Sequence, residues 1–147
     1  MAERTAQVVW EGDLAAGSGT IVSTGSGAFG GLSVSWTART EEPGGSTSPE
    51  ELIAAAHAAC FSMAFSNGLA QGGTPPERLE VRATCSFEQA DSGWAITTME
   101  LDVEGRVPGI DASGFEQAAA QAKDGCPVSG ALKGNVDISV RSRLVES

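Results

Sequence analysis

Cys60 and Cys126 stand 66 positions apart in a chain of 147 residues, and each has a local setting that bears on thiol chemistry. Cys126 is followed by Pro127, a residue suited to the first position of a helix, which makes Cys126 an N-cap. There the unpaired backbone N–H groups and the positive end of the helix dipole lower a thiol's pKa. Cys60 falls within the run AAAHAACFSM. Burial among alanines without a charged partner raises a thiol's pKa and leaves it inert. On local physics alone Cys126 is therefore the more reactive of the two. His57, the only histidine, precedes Cys60 by three residues and shares a helical face with it. Three readings stay open: a Cys–His nucleophile pair, a Cys60/His57/Cys126 metal site without a fourth ligand or CxxC spacing, and a histidine that only satisfies a nearby polar group. Each cysteine can equally serve as a small buried hydrophobe.

The elements that must position these residues follow from periodicity. Residues 4–11, 18–24 and 31–38 read as short strands, the last alternating Leu32, Val34, Trp36 against Ser33, Ser35, Thr37. A loop over Thr40–Ser46 leads to one strong helix, from about Ser48 to Gly68. Ser48 or Thr47 can cap it, Pro49 suits its first turn, and Glu50 and Glu51 sit where the dipole favours anions. Its apolar residues run all round, the mark of a buried helix, and in so short a chain that points to a second subunit helping to cover it. Arg78–Phe87 and residues 94–107 alternate as strands joined by an Asp91-Ser92-Gly93 turn, with Cys85 on the core side. Ser113-x-x-Glu116 forms a capping box for a helix to Asp124, Cys126-Pro127 opens a short helix, and Asn135–Glu146 is a final strand. Strands and helices come in runs, which is an α+β pattern within a single domain, residues 1–147.

Composition narrows the function classes. The chain is 41% hydrophobic and 19% charged, as expected of a soluble globular protein. Nineteen acidic against nine basic side chains give a net charge of −10, a surface that repels phosphate and argues against nucleic acid or anionic membrane as partner. The nineteen glycines, about 13% against an average near 7%, belong to turns. GSGAFG at 25–30 has the letters of a dinucleotide fingerprint, but the alternating GLSVSW follows where a helix is required, so the match is rejected. Three cysteines are too few for a secreted disulfide framework. Glu3, Arg4 and Glu11 leave no room for the apolar core of a signal peptide, so a cytoplasmic location with reduced thiols is expected. The longest apolar stretch, Leu52 to Phe65, is 14 residues, short of the roughly 20 that a membrane helix needs.

SPEELIAAAHAACFSM at 48–63 and VPGIDASGFEQAAAQAKDGCPVSGALKG at 107–134 closely resemble the OsmC branch of the OsmC/Ohr family, the osmotically inducible and organic hydroperoxide resistance proteins. The likeness runs from about residue 18 to the C-terminus. It implies an OsmC-like fold, an interwoven homodimer with sites at the subunit interface, and a thiol-dependent peroxidase active in oxidative and osmotic stress defence. Its substrate would be an organic hydroperoxide or hydrogen peroxide, its reductant a thiol or a dithiol of lipoyl type, and no metal, flavin or haem cofactor is required. Cys60 matches the peroxidatic cysteine, Cys126 the resolving one, Glu50 the site glutamate of the [N/S]PE motif, and Arg39 the site arginine before the helix. Ser48 stands where the family often has Asn; Cys85 matches no site residue. The resemblance reverses the local ranking of the cysteines, so something must activate Cys60. A thiol with a pKa of about 8.5 is about 3% thiolate at neutral pH and one near 6 is about 90%, a difference of roughly 3.4 kcal/mol. A desolvated Arg39 guanidinium could supply it, held by a bidentate pair with Glu50. Ten helical residues span about 15 Å, so either the helix starts after Glu50 or Glu50 serves the cysteine of the other subunit. Two non-peroxidase alternatives are a binding module for a small apolar ligand and a zinc-binding regulator.

Overall fold

The structure is a computed structural model that describes residues 1–146. These fall into two compact units, residues 1–52 and the chain from Ile53 onward.

The first unit is an antiparallel sheet of β1 (Ala6–Glu11), β2 (Ser18–Thr24) and β3 (Leu32–Val34), in that order. Gly19 is required at its centre, because a Cβ there would lie 2.6 Å from the Trp10 ring and 2.9 Å from Val34. The strand expected over 31–38 stops at Val34. Ser35 instead turns its Oγ to accept from the Ala38 N–H at 3.1 Å and caps a short helix, α1 (Trp36–Thr40). Arg39 thus lies in the last turn of a helix and not in a loop. The next helix, α2 (Pro49–Gln71), begins in this unit with a cap close to expectation. Ser48 Oγ accepts from the Glu51 N–H at 3.1 Å, and Thr47 Oγ1 donates to Glu51 Oε1 at 2.7 Å. Glu50 is already helical, which removes the alternative that α2 starts after it.

In the second unit α2 continues, buried along one stripe: His57, Phe61, Phe65 and Leu69, each four residues on and each at most 2% exposed. It is not wrapped on all sides as the composition implied; Met63, on another face, is 72% exposed. At 23 residues α2 is long and apolar enough, by length and composition, to cross a membrane. Here its buried stripe packs as a core helix, with Phe65 at ring-centroid distances of 5.5 Å from Phe61 and 5.0 Å from Phe115.

The stripe meets a second sheet, ordered β4 (Arg78–Ala90), β5 (Gly93–Arg106), β6 (Asp137–Leu144). The hairpin between β4 and β5 turns at Asp91 and Ser92, with Gly93 at φ +118°. Met99, Leu101, Val103 and Val107 face inward as the alternation predicts, and Cys85 packs against this core. Between β5 and β6 lie α3 (Ala112–Gly125) and α4 (Pro127–Leu132), and β6 pairs with β5 in parallel. That crossover is a βαβ unit, which the reading in runs of strands and helices did not anticipate. Asp111, not Ser113, caps α3, accepting from the Gly114 N–H at 2.7 Å. Glycine is needed at position 105 of β5, where a Cβ would come within 2.5 Å of the Phe115 ring. The architecture is α+β.

Candidate active site: a thiol pair and an arginine–glutamate pair

Cys126 occupies the N-cap of α4, with Pro127 at the first helical position, as the sequence indicates. The fold brings the fourth turn of α2 against this end of α4, so that Cys60 packs against the core that holds Cys126 and the two side chains influence each other's ionisation. Both are free thiols. Their exposure differs: Cys126 is 1% exposed and Cys60 is half-buried. Cys60 opens into a groove of about 540 Å³ between α2 and α3, floored by Met63, Ala64, Ala118, Ala122 and Pro127. A small molecule can reach Cys60 from this groove, and Cys126 lies behind it.

The electrostatics of the pair favour charge on the inner sulfur. Burial, reinforced by donation to Cys126, pushes the Cys60 thiol above its ordinary value, against a weaker lowering by the Val128 N–H. Burial also works against ionising Cys126, but it is outweighed by hydrogen bonds from Cys60 and Ser129 and by the Val128 and Ser129 N–H groups at the start of α4. These amides face the sulfur without closing a regular side-chain cap. The two shifts thus run in opposite directions, up for Cys60 and down for Cys126. These directions agree with the local ranking of the two cysteines read from the sequence.

His57 is fully buried beside them. Its Nε2 lies 2.8 Å from Ser129 Oγ, and its Nδ1 has no partner among the described residues. Burial lowers its pKa, so the ring is neutral at pH 7. Ser129 is a site neighbour that sequence reasoning missed, and its only signal was its place three residues after the N-cap cysteine. Among the described residues no three His, Cys, Asp or Glu side chains are grouped as metal ligands.

In the first unit Arg39 and Glu50 meet. Arg39 Nε donates to Glu50 Oε1 at 2.8 Å, with the two side chains 31% and 7% exposed. The contact is not the bidentate pair expected, since Glu50 Oε2 is buried with no hydrogen-bond partner among the described residues. The guanidinium carbon lies 5.9 Å from the Trp36 ring centroid, within cation–π range. Arg39 also lines a cavity of about 280 Å³ whose other walls include Trp10, Leu14, Val34, Trp36 and Pro49. A cation in such apolar surroundings interacts with an anion far more strongly than it does in water. The structure thus forms two pairs from the four expected site residues, Cys60 with Cys126 and Arg39 with Glu50. A larger hollow, about 690 Å³, lies among Glu80, Arg82, Asp102, Arg141 and Arg143 on the β4–β5–β6 sheet, and no cysteine or histidine lines it among the described residues.

Comparison with known proteins gives these features a context. Residues 42–141 match the family model described as OsmC-like protein. The chain is 47% identical over 132 residues to the protein named Peroxiredoxin OsmC of Escherichia coli K12, covering 90% of this chain and 91% of that one. It is 34% identical over 106 residues to the organic hydroperoxide resistance protein OhrA of Bacillus subtilis, covering 71% and 72%. Among solved structures, OhrB of Bacillus subtilis superposes with a TM-score of 0.72 at 25% identity, over 95% of this chain and 98% of that one. An OsmC-like protein of Mycoplasma pneumoniae gives a TM-score of 0.73 at 18% identity over 98% of both chains, a likeness of fold. A family match over residues 42–141 and near-half identity across most of its length settle the lineage: the chain belongs to the OsmC-like family.

Proposed function

We propose that the protein is a thiol-dependent peroxidase that reduces organic hydroperoxides, and hydrogen peroxide, through Cys60. The observation that carries this reading is the paired arrangement of a groove-facing Cys60 and a buried Cys126 in contact with it. The names of the relatives, a peroxiredoxin and organic hydroperoxide resistance proteins, support it.

In the first step the Cys60 thiolate attacks the outer oxygen of ROOH. The O–O bond breaks, the sulfur becomes a sulfenic acid, and RO⁻ leaves and takes a proton to give the alcohol. In the second, the Cys126 sulfur attacks Cys60–SOH, forming the Cys60–Cys126 disulfide and releasing water once the Cys126 proton is counted. An external dithiol then returns both to thiols by exchange and is itself oxidised to a disulfide.

Burial holds Cys60 toward its protonated form, and Arg39 is the group we assign to ionising it. Its guanidinium would stabilise both the Cys60 thiolate and the negative charge on the leaving oxygen. Glu50 orients it. Because α2 starts at Pro49, Glu50 lies about 15 Å along the axis from Cys60, which favours an Arg39–Glu50 pair supplied by a second copy of the chain. The apolar surface that α2 leaves uncovered, Met63 included, and the exposed Val8, Val9 and Trp10 of β1 support an interwoven homodimer as the working unit. Two whole chains, each a single domain, would share each site, and reduced thiols fit a cytoplasmic setting.

A steady-state peroxidase assay tests the reading. Purified protein with tert-butyl hydroperoxide is expected to turn over with a dithiol and more slowly with a monothiol, since closing the second exchange is intramolecular only for the dithiol. Absence of turnover with every thiol would contradict it.

A further inference from the structure

The peroxidase reading leaves unused a fully buried histidine whose Nε2 lies 2.8 Å from a serine hydroxyl, 72 residues away in sequence. Ser129 is the third residue of α4 and is itself 5% exposed, so this hydroxyl has no bulk water to bond with. It lies three positions beyond Cys126, on the turn whose N-terminus that cysteine caps. That spacing puts the side chain held by the imidazole on the turn that Cys126 caps.

The proton count fixes the direction of the chain. Neutral imidazole carries one N–H, and a serine hydroxyl carries one proton. If Ser129 gave its proton to His57, it would have none for the sulfur, and the partnerless Nδ1 of His57 would be an N–H buried without an acceptor. Orphaned N–H groups are the rarer of the two defects in folded proteins. With the proton on Nε2, the orphaned atom is a lone pair, Nε2–H donates to Ser129 Oγ, and the hydroxyl proton is free to point at Cys126.

We propose that His57 and Ser129 are positioning residues for the resolving cysteine: His57 Nε2–H fixes the Ser129 hydroxyl rotor so that it donates to the Cys126 sulfur and holds it ready to attack Cys60–SOH. The proposal rests on the peroxidase reading for the identity of the step it assists. The stabilisation of charge on Cys126 by the Ser129 hydroxyl agrees with it. No proton is consumed by the relay: Cys126 arrives at the sulfenic acid as thiolate, and the hydroxide displaced from Cys60 takes up the proton that Cys126 lost to solvent.

The test compares His57→Leu, His57→Gln, Ser129→Ala and the double variant His57→Leu/Ser129→Ala in the full chain. After one equivalent of tert-butyl hydroperoxide, disulfide closure relative to first-turnover peroxide consumption is expected to fall about ten- to a hundredfold in His57→Leu and Ser129→Ala. Gln, which places an amide N–H near the position of Nε2, should restore most of the rate. The double variant should be no slower than Ser129→Ala, because His57 acts through the serine. Closure at the unsubstituted rate in both single variants would overturn the proposal, as would losses that add in the double variant or a Gln variant as slow as Leu. A second arm needs no peroxide. In a Cys60→Ser/Cys85→Ser background the ultraviolet thiolate absorbance of Cys126 at neutral pH should drop on adding Ser129→Ala or His57→Leu and persist with His57→Gln. An unchanged absorbance would overturn the link to Cys126 even if the peroxidase activity is real, and a drop would uphold it even if that activity is not.

Discussion

Cys60→Ser is expected to consume organic hydroperoxide slower by about three orders of magnitude or more, the usual scale for loss of a covalent nucleophile. A serine hydroxyl does not ionise near neutral pH and cannot take an oxygen from a peroxide, so no route through position 60 remains. Cys126 is not expected to replace it, being 1% exposed and not among the residues lining the groove onto which Cys60 opens. Cys126→Ser is expected to behave differently. It should still consume the first equivalent of peroxide, then stall with a Cys60 sulfenic acid that excess peroxide carries to the sulfinic state. Both are read by following peroxide loss at substoichiometric and excess oxidant. Equal loss of the first turnover in the two variants would mean that the cysteines do not divide the labour as assigned.

Arg39→Ala is expected to slow Cys60 oxidation by about a hundred- to a thousandfold, the scale of removing one preorganised donor to a developing oxyanion. A stability effect accompanies it and must be separated. Glu50 is 5% exposed and, among the described residues, pairs with Arg39, so truncating the arginine strands a buried carboxylate. Because the Arg39 side chain is 31% exposed, the cost is below that of a fully buried pair, about 1–3 kcal/mol. Arg39→Ala/Glu50→Gln removes the stranded charge and should recover most of that stability in denaturant unfolding while staying slow in oxidation. Arg39→Lys keeps the charge but not the planar fork and should fall between. Recovery of the oxidation rate in the double variant would show that Arg39 acts through stability alone.

The legible and illegible parts of this molecule divide by range. Strands β4 and β5 could be read residue by residue because alternation reports burial on one face, and Met99, Leu101 and Val103 all face inward. The start of α2 was equally plain, since Ser48, Pro49 and Glu51 each suit one position of a helix N-terminus. Residues 35–40 were misread because Ser-Trp-Thr-Ala continues the alternation of β3, and only the capping bond from Ser35 to the Ala38 N–H stops it. At α3, two residues could cap, and the structure uses Asp111 in place of Ser113.

Within the site, the N-cap setting of Cys126 was local and could be read. What was not local was access. That Cys60 faces a groove and Cys126 lies behind it depends on how α3 and α4 pack against α2, and neither flanking sequence carries that information. The contact of His57 with Ser129, across 72 residues, is of the same kind. Similarly, the second sheet closes by parallel pairing of β5 with β6 through α3 and α4, a register that periodicity alone does not specify.

The central claim is that Cys60 and Cys126 form one redox couple, and peptide mass spectrometry after oxidation tests it most directly. Reduced protein treated with one equivalent of an organic hydroperoxide, then alkylated and digested, should yield a Cys60–Cys126 disulfide-linked peptide with Cys85 recovered in its alkylated form. Recovery of Cys60 as a free, alkylatable thiol after the peroxide has been added would contradict the account.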